Sequence, residues 1–584
     1  MHGEGPALVL AGPGSGKTTV ITKRAVRLSG IMDSPGRLLC VTFTTAAAEE
    51  MRNRYIKYVR EGNVEPEGET PEKAGLPEGS GTPETPVFST VHAYCNSILT
   101  EYERRRGKRY IRIEGEDSPK NRILSGIYKK FNNIEPDESM LGRIKGYMRL
   151  EREGDGGRAP SGRNQIRRFD DIIREYKKQK ELHNYVDFDD MIRLAGRILR
   201  EEKDIAALVR SRFDYIQVDE AQDLSRVQFE VIKLISPGNN IFVVADDDQS
   251  IYGFRGAEPD CLFEFLKDYP GTARYDLTRN YRSTPEIVNA SAELIVNNEK
   301  RFSKNLYTLS KSGPESFEIK YFSDAVSQAE FCYSASAKAM LAGESFAVLY
   351  RNGISSLPAR LEFALRSRQY VTYGHCPGTW EISTVRMCLE RIKEAERASG
   401  FLIPSPGMTF KKLLREGFGE EMEEACRREG RDRKTVSVAL DFLKKITAVT
   451  GSYNDLLKLL DRIDGSDMAC VQAPEGKKRG LSGIPVFSTI HSAKGLEYDN
   501  VIVIDVLEGE LPGSEALGAA VEEERRLLYV AMTRAKKRLV LSCPVKRGIR
   551  GEEESRFILE LKNAAKNPAK TMSNDPAFVD KRAS

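Results

Sequence analysis

A glycine-rich turn near the start of this chain has the residue types and the spacing of a phosphate-binding loop. It follows the apolar residues 7–10 and reads Gly12-Pro13-Gly14-Ser15-Gly16-Lys17-Thr18. The backbone N–H groups of such a turn, together with the N-terminus of the helix after it, bind phosphate oxygens. In this pattern Lys17 contacts the β- and γ-phosphates and Thr18 binds Mg²⁺.

Two adjacent acidic residues supply the rest of the hydrolytic chemistry. Asp219 and Glu220 follow a strand-like run at residues 215–218. Asp219 is expected to hold the metal, and Glu220 to orient and deprotonate the attacking water. The loop alone also occurs in kinases and transporter ATPases, but with the acidic pair it predicts an NTP-hydrolysing enzyme. Position 11 is alanine where the strict loop pattern has glycine, and a methyl group fits there if the backbone is not left-handed.

The composition is that of a charge-rich globular protein with several domains. Of the 584 residues, 40% are hydrophobic and 30% are charged, and 90 basic residues nearly balance 86 acidic ones. The net charge of +4 does not by itself indicate a nucleic-acid-binding protein, so any basic track must be local. Residues 143–180 are the best such track, although a solvated helix face explains them equally well.

Cysteine usage and hydropathy indicate the compartment. The nine cysteines are scattered without a Cys-x-x-Cys pair, and there are only five histidines. This pattern disfavours zinc and iron–sulfur sites and suits the reducing cytosol. No apolar run approaches the ~20 residues of a membrane span, and no signal-peptide pattern opens the chain. We therefore expect a cytoplasmic enzyme with no membrane partner.

The elements that position these residues alternate between strands and helices, which predicts parallel sheets with ligands at their carboxyl edges. Residues 61–86, rich in Pro, Gly and Glu, predict a mobile surface loop. The first half of the chain has strand patterns at residues 7–10, 38–43, 215–218 and 241–245, and at 87–92 where a strand runs into a helix. The second half has strand patterns at residues 346–350, 486–490, 501–505 and 539–542.

Helical patterns interrupt both blocks, so that four domains and a tail are predicted. The first α/β domain covers residues 1–100 and 206–271, with a helical insertion at 101–205. The second α/β domain covers residues 272–374 and 481–565, with a shorter helical insertion at 375–480. Residues 566–584 are predicted to form a loose tail.

Eight short segments, spread in order along nearly the whole chain, carry a more specific signal. They are residues 42–51 (TFTTAAAEEM), 90–92 (TVH), 187–190 (DFDD), 218–223 (VDEAQD), 246–257 (DDDQSIYGFRGA), 280–283 (NYRS), 489–497 (TIHSAKGLE) and 525–535 (RRLLYVAMTRA). With the phosphate loop, this ordered set resembles the motifs of the Rep, UvrD and PcrA group of superfamily 1 DNA helicases. The resemblance implies an α/β fold with two RecA-like P-loop domains that close on ATP, each with parallel strands and a mostly helical insertion.

The resemblance also implies roles at the nucleotide. Gln249 would sense the γ-phosphate, and Arg282 and Arg534 would be arginine fingers reaching from the second domain. Tyr281 would stack on adenine and Glu497 would contact the ribose. The implied ATP-binding residues are Gly12, Pro13, Gly14, Ser15, Gly16, Lys17, Thr18, Thr19, Tyr281 and Glu497, with Thr18 and Asp219 at the metal.

A second set of residues is implied to contact DNA. Phe43, Tyr252 and Phe254 would offer faces on which bases stack, a grip that does not read sequence. For Phe43, which sits in an apolar strand, a place in the core is the alternative. The implied DNA-binding residues are Phe43, Thr44, His92, Tyr252, Phe254, Arg255 and His491, with the two histidines coupling strand contact to the nucleotide.

Several features depart from the family pattern. No glutamine-containing element for adenine recognition precedes the loop, and Thr19 stands where the family tends to have an arginine. Base recognition would then rest on Tyr281, which predicts loose nucleotide selectivity, with appreciable hydrolysis of GTP or UTP. Phe254 is commonly tryptophan in the family, and the second insertion is short.

The resemblance implies an ATP-dependent DNA helicase or translocase that moves 3′ to 5′ on single-stranded DNA. It would couple ATP hydrolysis, with Mg²⁺, to strand separation in DNA repair, replication or recombination. Its partners would be single-stranded DNA, junctions of single and double strands, and repair or replication proteins. Two alternatives stay open: a translocase that strips proteins from DNA, and a nucleotide-switched DNA-binding protein with vestigial hydrolysis. A helicase–nuclease fusion is disfavoured because little chain follows Arg534.

Overall fold

The computed structural model describes residues 3–61, 85–114, 119–136, 138–153, 166–236, 240–253, 256–258, 260–313, 315–374, 383–398, 405–428, 433–464, 470–472, 483–548 and 550–566. The chain divides into two units. The first contains Met1–Ala11 and Gly16–Leu277, and the second contains Gly12–Ser15 and Thr278–Ser584. The surface loop predicted at 61–86 and the tail predicted at 566–584 fall, apart from their ends, outside the described residues.

The first unit is built on a six-stranded parallel sheet. The strands of this unit are β1 (Ala7–Ala11), β2 (Leu38–Thr42), β3 (Val87–Thr90), β4 (Ile111–Arg112), β5 (Tyr185–Val186), β6 (Tyr215–Val218), β7 (Ile241–Ala245) and β8 (Ala273–Leu277). Its helices are α1 (Lys17–Ser29), α2 (Thr45–Glu61), α3 (Val91–Arg106), α4 (Pro119–Asn132), α5 (Glu138–Glu153), α6 (Phe169–His183), α7 (Phe188–Glu201), α8 (Lys203–Ser211), α9 (Arg226–Ile235) and α10 (Asp260–Asp268).

The strand order of this sheet, β3-β2-β6-β7-β1-β8, brings distant segments to one edge. Every residue of β1, β2 and β7 is buried, and a strand covered on both faces must be free of charged residues. Because the strands are parallel, the segments that follow β2, β3, β6 and β7 leave the same edge. That edge carries Phe43, His92, Asp219 and Asp246.

Between β3 and β6 the chain is mostly helical, as the sequence predicts. Helices α4, α5 and α6 enclose a core of their own that includes Leu124, Ile144, Ile172 and Tyr176. The buried residues recur at helical spacing, so each helix contributes one apolar stripe. The short strands β4 and β5 pair with each other beside this core.

The second unit contains a seven-stranded parallel sheet of order β11-β17-β16-β12-β15-β13-β14. The strands of this unit are β9 (Arg279–Asn280), β10 (Tyr307–Thr308), β11 (Phe317–Phe322), β12 (Phe346–Tyr350), β13 (Tyr370–Tyr373), β14 (Cys470–Gln472), β15 (Val486–Thr489), β16 (Tyr498–Val503), β17 (Ala535–Pro544), β18 (Lys546–Arg547) and β19 (Arg550–Gly551). Its helices are α11 (Pro285–Ile295), α12 (Ala325–Leu341), α13 (Leu357–Leu365), α14 (Ser383–Ala398), α15 (Pro406–Arg415), α16 (Phe418–Arg428), α17 (Arg433–Val449), α18 (Tyr453–Asp464), α19 (Ala519–Met532) and α20 (Arg556–Lys566).

Hydrophobic clusters among the described residues stabilise the second unit, and two of them position its elements. One lies against the sheet and includes Val348, Phe487, Ile502 and Val540. The other lies within the helices α14 to α18, which carry a buried apolar face that includes Phe442. This helical region corresponds to the predicted second insertion.

The predicted class, two parallel sheets each interrupted by helices, is confirmed. The strand predicted at 501–505 is instead β16, which starts at the polar Tyr498-Asp499-Asn500 and ends at Val503. The edge strands β8 and β11 were not predicted, because charged residues interrupt their apolar pattern. β8 pairs with β1, so the first unit runs to Leu277 rather than ending at 271. Among the described helices, none has the length and hydropathy to cross a bilayer.

Candidate functional site

The glycine-rich loop follows β1 and ends where α1 begins at Lys17. Gly14 has φ 66° and Gly16 has φ 89°, values in the left-handed region that glycine adopts without strain. The Ser15 hydroxyl donates to the Gly12 carbonyl at 2.7 Å and tightens the turn. Ala11 is the last residue of β1, so its backbone is extended and the methyl group is tolerated.

Lys17 points toward two carboxylates from neighbouring strands. Its Nζ lies 3.8 Å from Glu220 Oε1 and 3.7 Å from Asp246 Oδ2, and the lysine side chain is 11% exposed. Gln249 donates from Nε2 to the same Asp246 oxygen at 2.7 Å. The structure therefore brings together, within the first unit, residues from three separate sequence motifs.

Asp219 and Glu220 differ sharply in their surroundings. Asp219 is buried, and burial, followed by the adjacent Glu220 charge, raises the pKa of its carboxyl to about 7 while Lys17 acts in the opposite direction. Glu220 has φ 51°, a left-handed backbone for a non-glycine residue. Its N–H donates to Asp219 Oδ1 at 3.0 Å, which helps to hold that conformation.

Gln222 connects the two acidic segments, although the sequence pattern assigns no role to it. Its Nε2 donates to Glu220 Oε2, its Oε1 accepts from the Asp246 N–H at 2.9 Å, and its carbonyl accepts from the Ser250 hydroxyl at 3.0 Å. One buried amide thus fixes the Glu220 carboxylate and the segment that leads to Tyr252. Its position inside the motif at 218–223 was the signal available.

Asp246, Asp247 and Asp248 form a buried acidic group whose carboxylate oxygens lie within 4.8 Å of one another. Such a group could hold a cation, but the Asp246 carboxylate already contacts Lys17 and Gln249. It therefore belongs to the network around the phosphate-binding lysine.

Two predicted DNA-contacting aromatics stack on each other. The ring centroids of Phe43 and Tyr252 lie 5.5 Å apart with 19° between the ring planes. Phe43 is half-buried rather than part of the core, so the alternative reading of it as a core residue is wrong. The exposed Thr44 accepts the Ala47 N–H at 3.2 Å near the start of α2. Phe254 and Arg255 lie outside the described residues.

His92 lies in the first turn of α3 and packs edge-on against Phe188, with ring centroids 5.5 Å apart. The Phe188 side chain is 45% exposed. It begins α7, whose N-terminus is fixed by a capping box between Asp187 and Asp190. Phe188 is an exposed aromatic beside a predicted DNA contact, and the sequence assigned it no role although its motif was recognised.

In the second unit, Tyr281 is the most accessible of the predicted nucleotide contacts. It is 64% exposed, and the Arg279 guanidinium lies 4.5 Å from its ring centroid. The Tyr281 N–H donates to the Gly14 carbonyl at 3.0 Å, and Asn280 donates to the Pro13 carbonyl at 2.9 Å. Tyr281 is thus anchored to the loop residues that belong to this unit.

Arg282 is held by Glu497, so two predicted site residues contact each other. Arg282 Nε donates to Glu497 Oε2 at 2.8 Å and its Nη1 to the Thr533 carbonyl at 2.9 Å. Burial alone would raise the pKa of Glu497, but the hydrogen bond from Lys536 and the Arg282 charge lower it to about 2. The carboxylate is therefore ionised across the physiological range.

Arg534 is buried in the second unit. Its Nε donates to the Val530 carbonyl at 2.9 Å, its Nη1 to the Leu496 carbonyl at 3.2 Å, and its Nη2 to the Thr533 hydroxyl at 3.1 Å. The Leu496 carbonyl that accepts from Arg534 directly precedes Glu497, so this bond places Arg534 beside the segment that carries Glu497.

His491, a predicted DNA contact, is half-buried in the turn after β15.

Comparisons with known proteins give consistent matches along the chain. The family model of the UvrD/REP helicase N-terminal domain matches residues 1–270, and that of the UvrD-like helicase C-terminal domain matches residues 441–546. YjcD of Bacillus subtilis strain 168, provisionally named an ATP-dependent DNA helicase, is 29% identical over 97% of this chain and 80% of its own length. The ATP-dependent DNA helicase PcrA of Staphylococcus aureus strain Mu50 is 26% identical, and that of B. subtilis strain 168 is 27% identical. Each alignment covers 96% of this chain and 84% of the relative.

Proposed function

The chain belongs to the UvrD/REP family of helicases, and on that premise we propose that it moves 3′ to 5′ along single-stranded DNA. It is an ATP-dependent DNA helicase, like the PcrA proteins that it matches over most of their length. Its work is strand separation in DNA repair, replication or recombination, at junctions of single and double strands. The stacked pair Phe43–Tyr252 is the single observation that carries the proposed contact with single-stranded DNA, and the proposed direction rests on the family to which the chain belongs.

Within the first unit, Lys17 binds the β- and γ-phosphates and Glu220 accepts a proton from the attacking water. The support is the Lys17–Glu220 contact of 3.8 Å and two hydrogen bonds that hold Glu220. Its N–H donates to Asp219 Oδ1, and Gln222 Nε2 donates to its carboxylate. A base fixed in this way needs little reorganisation at the moment of reaction. Gln249, whose Nε2 donates a hydrogen bond to Asp246 beside Lys17, senses the γ-phosphate.

Mg²⁺ fits the oxygen donors of Thr18 and Asp219. A hydroxyl and a carboxylate are hard ligands of the kind that Mg²⁺ prefers, and a cation would favour the ionised form of the buried Asp219, whose pKa burial raises to about 7. When bound, Mg²⁺ neutralises charge on the phosphates. The chain's own residues position the nucleotide and the water.

Phe43 and Tyr252 are a platform for bases. Phe43 comes directly after β2, and the Asp219 N–H donates to the Val41 carbonyl of that strand at 2.9 Å. The platform and the hydrolytic carboxylates therefore leave adjacent strands of one sheet. Stacking supplies about 1–3 kcal/mol per base with little sequence preference, which suits a motor. Phe188, exposed beside His92, extends the same kind of surface.

A path of hydrogen bonds links the aromatic platform to Glu220, the proton acceptor. It runs from Glu220 to the Gln222 side chain, and from the Gln222 carbonyl to the Ser250 hydroxyl. Tyr252 follows Ser250 by two residues. A displacement of Tyr252 by the bound DNA strand would therefore move Ser250, Gln222 and Glu220. This path is how DNA binding would speed hydrolysis.

Arg282 and Arg534 stabilise charge that develops on the transferring phosphoryl group. The support for Arg282 is its position: a Cβ on Gly14 would lie 2.8 Å from Arg282 Cβ, so the side chain starts beside the phosphate loop. Glu497 orients this guanidinium from the other side. Tyr281, exposed and fixed to Gly14, stacks on the base of the nucleotide.

Direction can be tested by displacement of streptavidin from biotinylated oligonucleotides. With ATP, streptavidin on the 5′ end of a single strand should be displaced quickly, and streptavidin on the 3′ end slowly, because a 3′ to 5′ motor runs toward the 5′ end. The control is the same reaction with Glu220→Gln. Faster displacement from the 3′ end would refute the proposed direction.

A further inference from the structure

A buried arginine on helix α1 faces the strand that leads to the hydrolytic carboxylates. Arg24 is 3% exposed and lies seven positions after Lys17, about two helical turns, so both residues share one face of α1. On β6, Gln217 is fully buried and precedes Asp219 by two positions, the spacing of residues on one face of a strand.

Arg24 joins several elements through one guanidinium. Its Nη1 donates to Gln217 Oε1 at 3.1 Å, and its Nη2 donates to the Gly3 carbonyl, ahead of β1, at 3.1 Å. The guanidinium carbon lies 4.4 Å from the ring centroid of Phe242 on β7. Gln217 in turn donates to the Ile21 carbonyl of α1 at 3.4 Å. The link therefore runs in both directions between α1 and β6.

The partners of this charge are unusual. Among the described residues no carboxylate forms an ion pair with Arg24, whose guanidinium instead contacts an amide oxygen, a backbone carbonyl and the rings of Phe242 and Tyr215. Burial lowers the pKa of Arg24 to about 10, so it remains charged at neutral pH. A buried charge among neutral dipoles is costly, and a packed apolar pair would hold α1 to β6 at least as firmly. The directional hydrogen bonds of Arg24 therefore fix the relative position of α1 and β6 rather than add stability.

The same helix and strand carry the reacting groups. Lys17 begins α1 and lies 3.8 Å from Glu220, which follows β6. The Arg24–Gln217 bond is thus a second link between α1 and β6, about two turns along the helix from the first. A change in the second link alters the spacing of the first, because both elements are rigid.

We propose that Arg24 is a positioning residue for ATP hydrolysis, which sets through Gln217 the distance between Lys17 on α1 and Glu220 after β6. The proposal rests on the proposed ATPase function of this unit. It predicts that the link matters for turnover more than for nucleotide binding, since Lys17 and the loop still bind phosphate when the distance to the base has changed.

The test replaces both partners by apolar residues, Arg24→Met with Gln217→Leu, so that neither side chain of the pair is left buried without the other. We expect kcat for ATP to fall about 10- to 100-fold, as for a misplaced reacting group, while KM and the melting temperature change little. Gln217→Glu keeps an acceptor for the guanidinium and should retain kcat within about 3-fold.

The matched control is Arg37→Met with Asp214→Leu. This pair also forms a hydrogen bond to the segment of β6, since Arg37 Nε donates to Asp214 Oδ2 at 2.6 Å. Asp214 precedes β6 and so lies at the opposite end of the strand from Asp219. The kcat of this control should equal that of the wild type. Unchanged kcat in the Arg24/Gln217 double variant, or a parallel loss of kcat, nucleotide affinity and melting temperature, would overturn the positioning role. A wild-type chain without ATP hydrolysis would overturn the proposed function itself.

Discussion

At the scale of single residues, the conformation of Glu220 is the clearest sign of function. A non-glycine residue at φ 51° costs on the order of 1–3 kcal/mol and persists only when its surroundings fix it. Here Asp219 and Gln222 do so. Glu220→Gln should bind ATP as the wild type does but lose hydrolysis by at least about 10²-fold, because only the proton acceptor is removed. Calorimetric ATP binding and phosphate release measure the two effects, and hydrolysis near the wild-type rate would show that another group is the base.

The arginines of the second unit give a prediction of different form. Arg282→Ala and Arg534→Ala should each lower kcat far more than ATP affinity, by up to about 10³-fold, because a guanidinium at the phosphoryl group acts mainly in the transition state. Arg534 is buried, so its variant also needs a melting measurement. Lys536→Ala, which removes the other cation on Glu497, is the control. Equal losses in kcat and affinity would indicate ground-state contacts instead.

At the scale of elements, the carboxyl edge of the first sheet joins DNA contact to hydrolysis. Phe43→Ala with Tyr252→Ala should leave basal ATPase intact but remove most of its stimulation by DNA, because the platform is lost while Lys17 and Glu220 stay in place. Phe43→Leu, which keeps an apolar side chain without a π-face, separates packing from stacking. ATPase rates with oligonucleotides of different sequence, at one length and salt concentration, complete the test. A strong preference for one sequence would contradict recognition by stacking.

Much of this edge could be predicted from the sequence, because strands β1 and β7 are uninterrupted apolar runs followed by a glycine-rich turn and by acidic residues. The edge strands β8 and β11 could not, since Arg274, Asp276, Glu318 and Lys320 break their pattern. Motif spacing identified Lys17, Asp219 and Glu220 but not the link through Gln222 or the buried Arg24. Those depend on which strands become neighbours, and local sequence does not specify that order.

At the scale of the whole molecule, Asp441 makes stability depend on pH. It lies on α17 and accepts the Gly548 N–H at 2.8 Å, where the β18–β19 turn packs on that helix. Burial raises its pKa to about 6, although the Gly548 bond lowers it. Because this pKa exceeds that of an unfolded aspartate, the folded state binds the proton more tightly. Stability from this group is therefore full at low pH and is lost as pH rises from about 4 to about 6.

Asp441→Asn should remove that dependence and raise stability at pH 7 relative to the wild type by roughly 1–3 kcal/mol. At pH 4 the two proteins should differ little. Thermal unfolding between pH 4 and 8 measures the effect, with Asp461→Asn, at an exposed position on α18, as the control. If the wild type instead gains stability relative to Asp441→Asn between pH 4 and 6, the folded protein favours the ionised form of Asp441.

The most direct test of the whole account is the rate of ATP hydrolysis with and without single-stranded DNA. The predicted result is slow hydrolysis by the protein alone and a strong increase on adding an oligonucleotide, with the increase diminishing at high salt because phosphate contacts release counterions. The Phe43/Tyr252 double variant should show the slow rate in both conditions. Equal rates of the wild-type protein with and without DNA, at concentrations where it binds the oligonucleotide, would contradict the claim that this chain is a DNA-driven motor.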